Sequence, residues 1–420
     1  MPGIVPRKGT LIVKLLGRQV GRLDYSSHHN EMRFSYEPEY LAESSAMPLS
    51  RSLPLRQEPF DTETTTVFFE NLLPPDQVRR KLGPMLHISR HNIFGFLEAL
   101  GGDCAGAISL WPEDASQKAE SVPRLETLDE DAASMVLKSL RKRPLYVNGV
   151  AGYRISGSGA QNKLIARIVD GRIALPLFGM PSTHIIKPPA DDYSDSVFNE
   201  FFSMSLAARL GLKTAKCGLM RIKGEPYYWT ERYDRESVDG EIHRLHQEDF
   251  CQALGISGEM KYENEGGPSF ASCMMAMQEM KFALSDRFAF IDRMIFNFLI
   301  GNADAHGKNS SILYRQEGGR SLAPVYDVMS TLVYPALSGD SAMSIGGAKR
   351  FADVRRENFA LMAQEAGMRP NLALSRLDSL ASQILPKAES LMQELAPEWP
   401  SDIYGNILTT IASQLKQVTE

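Results

Sequence analysis

The chain has 420 residues, 43% hydrophobic and 23% charged, with a formal net charge of −5. These proportions exclude a mainly disordered, collagen-like or coiled-coil chain, and the length suggests about three domains or subdomains. No overall basic field draws the chain to nucleic acid, and its four cysteines, Cys104, Cys217, Cys251 and Cys273, form no CxxC pair of a zinc ribbon or redox motif.

The opening MPGIVPRKGTLIVKLLG carries Lys14 inside a short apolar run and no small-residue cleavage site, so no secretory leader is expected. LIVKLLGRQVGRL, 11–23, reads as two β-runs around Gly17, a hairpin. FFENLLPPDQVRRKLG, 68–83, predicts a helix, a Pro74-Pro75 break and a second helix. His87 and His91 have a zinc-compatible spacing without a third ligand and read as surface residues. HNIFGFLEALGGDC predicts a helix ending at Gly101-Gly102, and ISLWP, 108–112, a strand that closes a first unit, 1–112. The polar stretch 112–124 reads as a linker. The basic run Lys138, Arg141, Lys142, Arg143 reads as the solvated end of a helix.

A β-rich lobe, 113–232, follows. YRISGSGAQNKLIARIVDGRIALPL, 153–177, runs strand, glycine-rich loop, strand, Asp170-Gly171 turn, strand. THIIK, 183–187, is another strand. SVFNEFFSMSLAARLGL has helical periodicity and a Gly211 cap. CGLMRIKGEPYYWTERYD holds two β-runs around Lys223-Gly224. From Gln247 the chain reads as mostly helical, which makes 233–420 a helical lobe. Its most apolar helix candidate, 288–300, contains Asp292 and Arg293 and falls far short of the roughly 18 apolar residues of a membrane span. A cytosolic, membrane-free protein is expected.

The chemistry concentrates in SDRFAFIDRMIFNFLIGNADAHGKNSSILY, 285–314. Phe288, Ile291, Ile295 and Phe298 share one helical face, Ser285 is a plausible N-cap and Gly301 a stop. A polar loop follows, with Asn302, Asp304, His306, Lys308 and Asn309; Asp327 lies downstream in APVYDVMST. This layout suits phosphoryl transfer, where positioning and charge neutralisation dominate. Asp304 and Asn309 have the Asp-x-x-x-x-Asn spacing of a kinase catalytic loop, with Asp304 as base and Asn309 and Asp327 as oxygen ligands of Mg²⁺. The small residues of Ser156 to Gln161 would let backbone N–H groups approach phosphate oxygens. Lys187 is a candidate for the α/β-phosphates of ATP, Glu200 on the next helix its candidate partner, and Glu231-Arg232-Tyr233 stands where an adenine-binding hinge belongs.

With ISGSGAQNK, THIIKPP, WTERYDR, HQEDFCQALG, KYENEGGPSF, GNADAHGKNSSIL and APVYDV in this order, the sequence resembles the HipA family of bacterial toxin serine/threonine kinases. The resemblance implies an α+β, bilobal protein-kinase-like fold with a β-rich N-lobe, an extra N-terminal subdomain and an all-helical C-lobe. It implies Asp304 as the catalytic base and Asn309 and Asp327 as the metal ligands. ATP contacts would come from Ser158, Gly159, Ala160, Gln161, Asn162, Lys163, Lys187, Glu231, Arg232, Tyr233, His306, Gly307, Lys308, Asn309, Tyr326 and Asp327. Ser156 matches a serine that family members phosphorylate on themselves. The family also implies a protein substrate of the aminoacyl-tRNA synthetase class, glutamyl-tRNA synthetase in particular, with arrest of translation and growth. A HipB-like helix-turn-helix antitoxin, as a dimer in a 2:2 complex, would neutralise the kinase and bind operator DNA. Two other readings are a catalytically silent corepressor of its own operon and a small-molecule or lipid kinase.

Overall fold

The computed structural model describes residues 8–27, 31–113, 122–315 and 319–419. Strands β1 (Lys8–Leu15), β2 (Arg18–Ser26), β3 (Glu31–Tyr36) and β4 (Ile108–Pro112) form a sheet in the order β3-β2-β1-β4. The expected hairpin turns at Leu16-Gly17, where Gly17 takes φ +81°. Alternation along β1 puts Leu11, Val13 and Leu15 into the core. Helices α1 (Pro38–Leu41), α2 (Thr62–Glu70), α3 (Asp76–Leu86) and α4 (Ile93–Leu100) complete this unit. Asp61 caps α2 by accepting from Thr64 N, and the Pro74-Pro75 break separates α2 from α3 as the sequence predicts. Most of the linker 112–124 lies outside the described residues.

The second sheet joins β5 (Arg124–Thr127), β6 (Leu164–Val169), β7 (Arg172–Leu177), β8 (His184–Lys187), β9 (Cys217–Ile222) and β10 (Glu225–Glu231) in the order β5-β7-β6-β8-β10-β9. Helix α5 (Glu130–Ser139) lies before the glycine-rich loop, and α6 (Ser196–Arg209) follows β8. One apolar core runs from Leu11 of β1 through Phe68, Phe96 and Leu137 to Leu164, Ile186 and Tyr227, so units 1–112 and 113–232 share a single interior. The strand expected at 153–155 is not there. Ile155 makes one isolated parallel bridge to Asp103, because the close approach of Gly102 draws this backbone onto the N-terminal unit: a Cβ on Gly102 would stand 2.7 Å from Arg154 O.

The last lobe corrects the all-helical expectation. It holds α7 (Phe250–Leu254), α8 (Phe270–Glu279), α9 (Leu284–Ile300), α10 (Arg356–Glu365), α11 (Pro370–Leu395) and α12 (Ile403–Thr419) around a core centred on Phe290, Phe296 and Tyr404. Strand pairs β11 (Arg235–Val238)/β12 (Glu241–Arg244) and β16 (Asp340–Ile345)/β17 (Ala348–Arg350) flank the ladder β13 (Gln247–Asp249)-β14 (Ser311–Tyr314)-β15 (Arg320–Leu322). These strands are only a few residues long, too short to show a period. Helix α9 starts two residues earlier than expected, with Ala283 rather than Ser285 at its N-cap, and stops at Gly301 in the left-handed region, φ +74°. Among the described residues no helix is long and apolar enough to cross a membrane.

A buried ion cluster fastens the units together. Asp103 accepts from Arg235 Nη2 at 2.7 Å, Ser182 Oγ at 2.6 Å, Arg244 Nη2 at 3.1 Å and Arg232 Nη1 at 3.4 Å. Burial alone would raise this carboxyl; the guanidiniums of Arg235, Arg232 and Arg244 override it and hold Asp103 well below the usual range. Asp103→Ala leaves Arg244 without its carboxylate and Arg232 and Arg235 with Asp234 alone, and is expected to cost about 3–5 kcal/mol. Urea unfolding of wild type and variant checks this; a loss below about 1 kcal/mol would show the cluster to be dispensable.

Candidate active site

Lys187 ends β8, which lies between β6 and β10, and its partner in register is Tyr228. Its ammonium reaches Glu200 Oε1 at 2.7 Å and Asp327 Oδ1 at 2.6 Å. Helix α6 is placed for this by the residue beside Glu200: Asn199 Nδ2 donates to Ser330 O at 2.9 Å and Asn199 Oδ1 accepts from Ser330 N at 2.8 Å. The segment leading to Asp327 is fixed from its other side, where Val325 N donates to Lys213 O and Val325 O accepts from Ala215 N. Burial works against the Lys187 charge, but Asp327 and Glu200 together keep it above the ordinary lysine range. The same ammonium holds Asp327 far below the usual carboxylate range. Asp327 takes a left-handed backbone, φ +56°, and its side chain is 46% exposed, so an ionised oxygen faces outward.

The loop after α9 folds back on itself. Asn302 Oδ1 accepts from Asp304 N, Asp304 O accepts from His306 N and from Asn309 Nδ2 at 2.9 Å, and Ala303 N donates to Thr331 Oγ1 at 2.8 Å. Asn309 thereby spends an N–H on the loop, and its Oδ1 stays an oxygen donor. Asp304 is half exposed, at 49%, and its Oδ1 accepts from Tyr262 O–H at 2.6 Å. Burial raises the Asp304 carboxyl, opposed by the nearby Lys261 charge and the Tyr262 hydrogen bond. Burial, then Lys261, pushes His306 down to about 3, so its ring is neutral; it meets Tyr262 edge-on, with centroids 5.4 Å apart. A small cavity of about 10 Å³ is lined by Asn302, Asn309 and Asp327, which brings the two predicted oxygen ligands together. Arg293, noticed in sequence only as a charge inside an apolar helix, clamps the loop's far end through Ser310 Oγ at 2.9 Å and Ala323 O at 2.7 Å.

The glycine-rich loop covers the site from the β-rich lobe. Ser158, Gly159 and Ala160 are exposed, Gln161 and Asn162 half-buried, and Gly159 takes φ +89°. Lys163 curls beneath, donating to Ser158 O and to Gly159 O at 3.1 Å; burial and the like charge of Lys187 lower it to about 8. Ser156 is buried, its hydroxyl donating to Leu72 O. At the hinge, Glu231 pairs with Lys216 at the surface, while the Arg232 side chain turns into the Asp103 cluster. Tyr233 stacks on Tyr326 at 5.1 Å, and Tyr326 O–H donates to Lys308 O. The Lys308 ammonium turns away from the glycine-rich loop, toward Asn71 and Asp249. Gly307 packs against Pro268 and Cys251. Tyr262 and Lys261 had no role from spacing alone; their signal was the KYENEGGPSF stretch.

Residues 11–111 match the HipA N-terminal domain and residues 155–388 the HipA-like C-terminal domain. The chain belongs to the HipA family. Y4mE of Sinorhizobium fredii, named as a candidate kinase, is 40% identical over 393 residues, covering 92% of each chain. The serine/threonine-protein kinase toxin HipA of Shewanella oneidensis is 27% identical over 406 residues, covering 92% of this chain and 90% of that one. The solved HipA of Shewanella oneidensis MR-1, in a complex with HipB and operator DNA, superposes with a TM-score of 0.85 at 26% identity and covers 97% of each chain. The α+β HipA fold and a kinase-type enzyme are what these HipA relatives share with the chain.

The Lys187–Glu200 pair is nearly out of water, with side-chain exposures of 7% and 2%. Lys187→Met strands the Glu200 carboxylate and is expected to cost about 3 kcal/mol. The double variant Lys187→Met/Glu200→Gln is expected to regain more than half of that loss in urea unfolding; strictly additive losses would contradict the pairing.

Proposed function

We propose that this chain is an ATP-dependent protein serine/threonine kinase acting as a growth-inhibiting toxin. The observation that carries this is the Lys187 ammonium held between Glu200 and Asp327, opposite a half-exposed Asp304 that shares its loop with Asn309. A strand lysine paired to a helix glutamate and an aspartate set for a metal are the parts that kinase chemistry requires in place together. ATP would take the Lys187 ammonium from Asp327 through its α/β-phosphates, beneath the exposed Ser158 to Ala160 backbone. Asn309 and Asp327 would hold Mg²⁺, which when bound neutralises phosphate charge; both carry hard oxygen donors and border one small cavity, which fits such an ion. Asp304 Oδ2 accepts the proton of the acceptor hydroxyl as its oxygen bonds to the γ-phosphorus and ADP departs. Tyr262 keeps Oδ1 occupied, so the accepting oxygen has a fixed direction.

Relatives' names support a serine or threonine acceptor, a HipB-like antitoxin and operator DNA bound through it; the acceptor in a protein of the aminoacyl-tRNA synthetase class rests on the resemblance of the sequence to the HipA family alone. Ser156 is proposed as a self-phosphorylation site. Its hydroxyl is tucked against Leu72 O, so the loop must leave its place before transfer, and a phosphate of about −1.5 to −2 charge could not return there beside ATP.

Asp304→Asn is expected to lower ATP-dependent phosphate transfer to protein by about 10²–10⁴ while circular dichroism stays unchanged. Transfer at the wild-type rate would remove Asp304 as the base. In the same reactions, mass spectrometry is expected to find phosphate on Ser156 in the wild type and none in the variant; a clean Ser156 peptide from active enzyme would refute self-modification there.

A further inference from the structure

The turn between α2 and α3 touches both loops of the active site. Leu72 O accepts the Ser156 hydroxyl at the start of the glycine-rich loop. One residue earlier, Asn71 accepts from Lys308 Nζ twice, at 2.7 Å through Oδ1 and at 3.2 Å through its backbone oxygen. Asp249 Oδ2 takes the third Lys308 N–H at 2.6 Å. Every donor of this ammonium is therefore matched, and the side chain is only 13% exposed. Asn71 is itself buried, with Nδ2 committed to Val67 O at 2.8 Å and Ile256 O at 3.0 Å. The neighbouring Leu72 and Leu73 are anchored in the core, and Pro74-Pro75 stiffens the exit from the turn. Beyond Lys308 the chain of contacts continues through its carbonyl to Tyr326, next to Asp327.

We propose that the Asn71–Leu72 turn sets the register between the catalytic loop and the glycine-rich loop, with Asn71 a positioning residue that acts through Lys308. Two loops from different lobes must meet the same phosphates within a fraction of an ångström, and a single rigid turn gripping both supplies a common reference. The kinetic readout rests on the kinase reading; the exchange readout does not. In the full-length chain, Asn71→Ala is expected to lower kcat for phosphate transfer about tenfold, with KM for ATP within about twofold. In a Lys308→Met background, Asn71→Ala is expected to cost nothing more. Wild-type kcat in Asn71→Ala, or independent multiplying losses in the two backgrounds, would each overturn the proposal. Hydrogen exchange without nucleotide gives the second readout. Amides of His306 to Asn309 are expected to exchange faster in Asn71→Ala, and unchanged protection there would overturn the proposal even if the wild type transferred no phosphate, a result that by itself would strike the kinase reading. Should Asn71→Ala fail to fold, Lys308→Met alone decides: faster exchange at Leu72 and Leu73 supports the tether and unchanged exchange refutes it.

Discussion

One ammonium, that of Lys187, ties three separate stretches of chain into a site. It sits at the end of a strand, accepts the pull of a helix carboxylate at Glu200 and holds Asp327 from beyond the catalytic loop. Removing Lys187 leaves Glu200, almost out of water, without its cation, which is far costlier than losing a surface pair. The surrounding polar bonds follow from this demand. Asn199 pins α6 to Ser330, Val325 is zipped to Lys213 and Ala215, and Asp304 is folded back by Asn302, Asn309 and Tyr262.

The N-terminal unit takes part in this framework. Its core is continuous with that of the β-rich lobe. Asp103 gathers Arg232, Arg235 and Arg244 beside the hinge and accepts, through its backbone, the N–H of Ser156. Against the helical lobe, Glu248 is buried and accepts from Ser50 Oγ, Arg51 N at 3.1 Å and Tyr314 O–H, with burial raising it to about 7. Hydrogen bonds replace the water such a carboxyl loses. Arg232, the start of the glycine-rich loop and the 302–309 loop are thus all referred to the N-terminal unit through Asp103, Leu72 and Asn71.

What could be read from the sequence was what local chemistry decides. The Gly17 hairpin, the Pro74-Pro75 break and the Gly301 stop depend on φ and on a missing N–H, and each is where the residues predict. The Lys187–Glu200 contact, offered by analogy with the strand lysine and helix glutamate of kinases, is present at 2.7 Å. What failed depends on distant partners. Residues 153–155 are β-prone but are claimed by Asp103, the helix starts at Ala283 rather than Ser285, and β13 pairs with β14 from more than sixty residues away, whereas the hairpins β11/β12 and β16/β17 turn at Asp239-Gly240 and Gly346-Gly347, local signals that the sequence does carry. The buried Asp103 carries no local signature, since its role exists only when three arginines arrive from elsewhere, and Tyr262, marked only by the KYENEGGPSF motif, gains its role when Asp304 comes within reach.

The central claim is that Lys187, Asp304, Asn309 and Asp327 converge on a magnesium-bound triphosphate. A crystal structure of the full chain with Mg²⁺ and a non-hydrolysable ATP analogue tests it most directly. The account predicts the Lys187 ammonium on the α/β-phosphate oxygens with Glu200 still attached, and Asn309 and Asp327 oxygens on one ion, with Asp304 facing the γ-phosphate. A nucleotide bound elsewhere, or an ion that touches neither Asn309 nor Asp327, would contradict it.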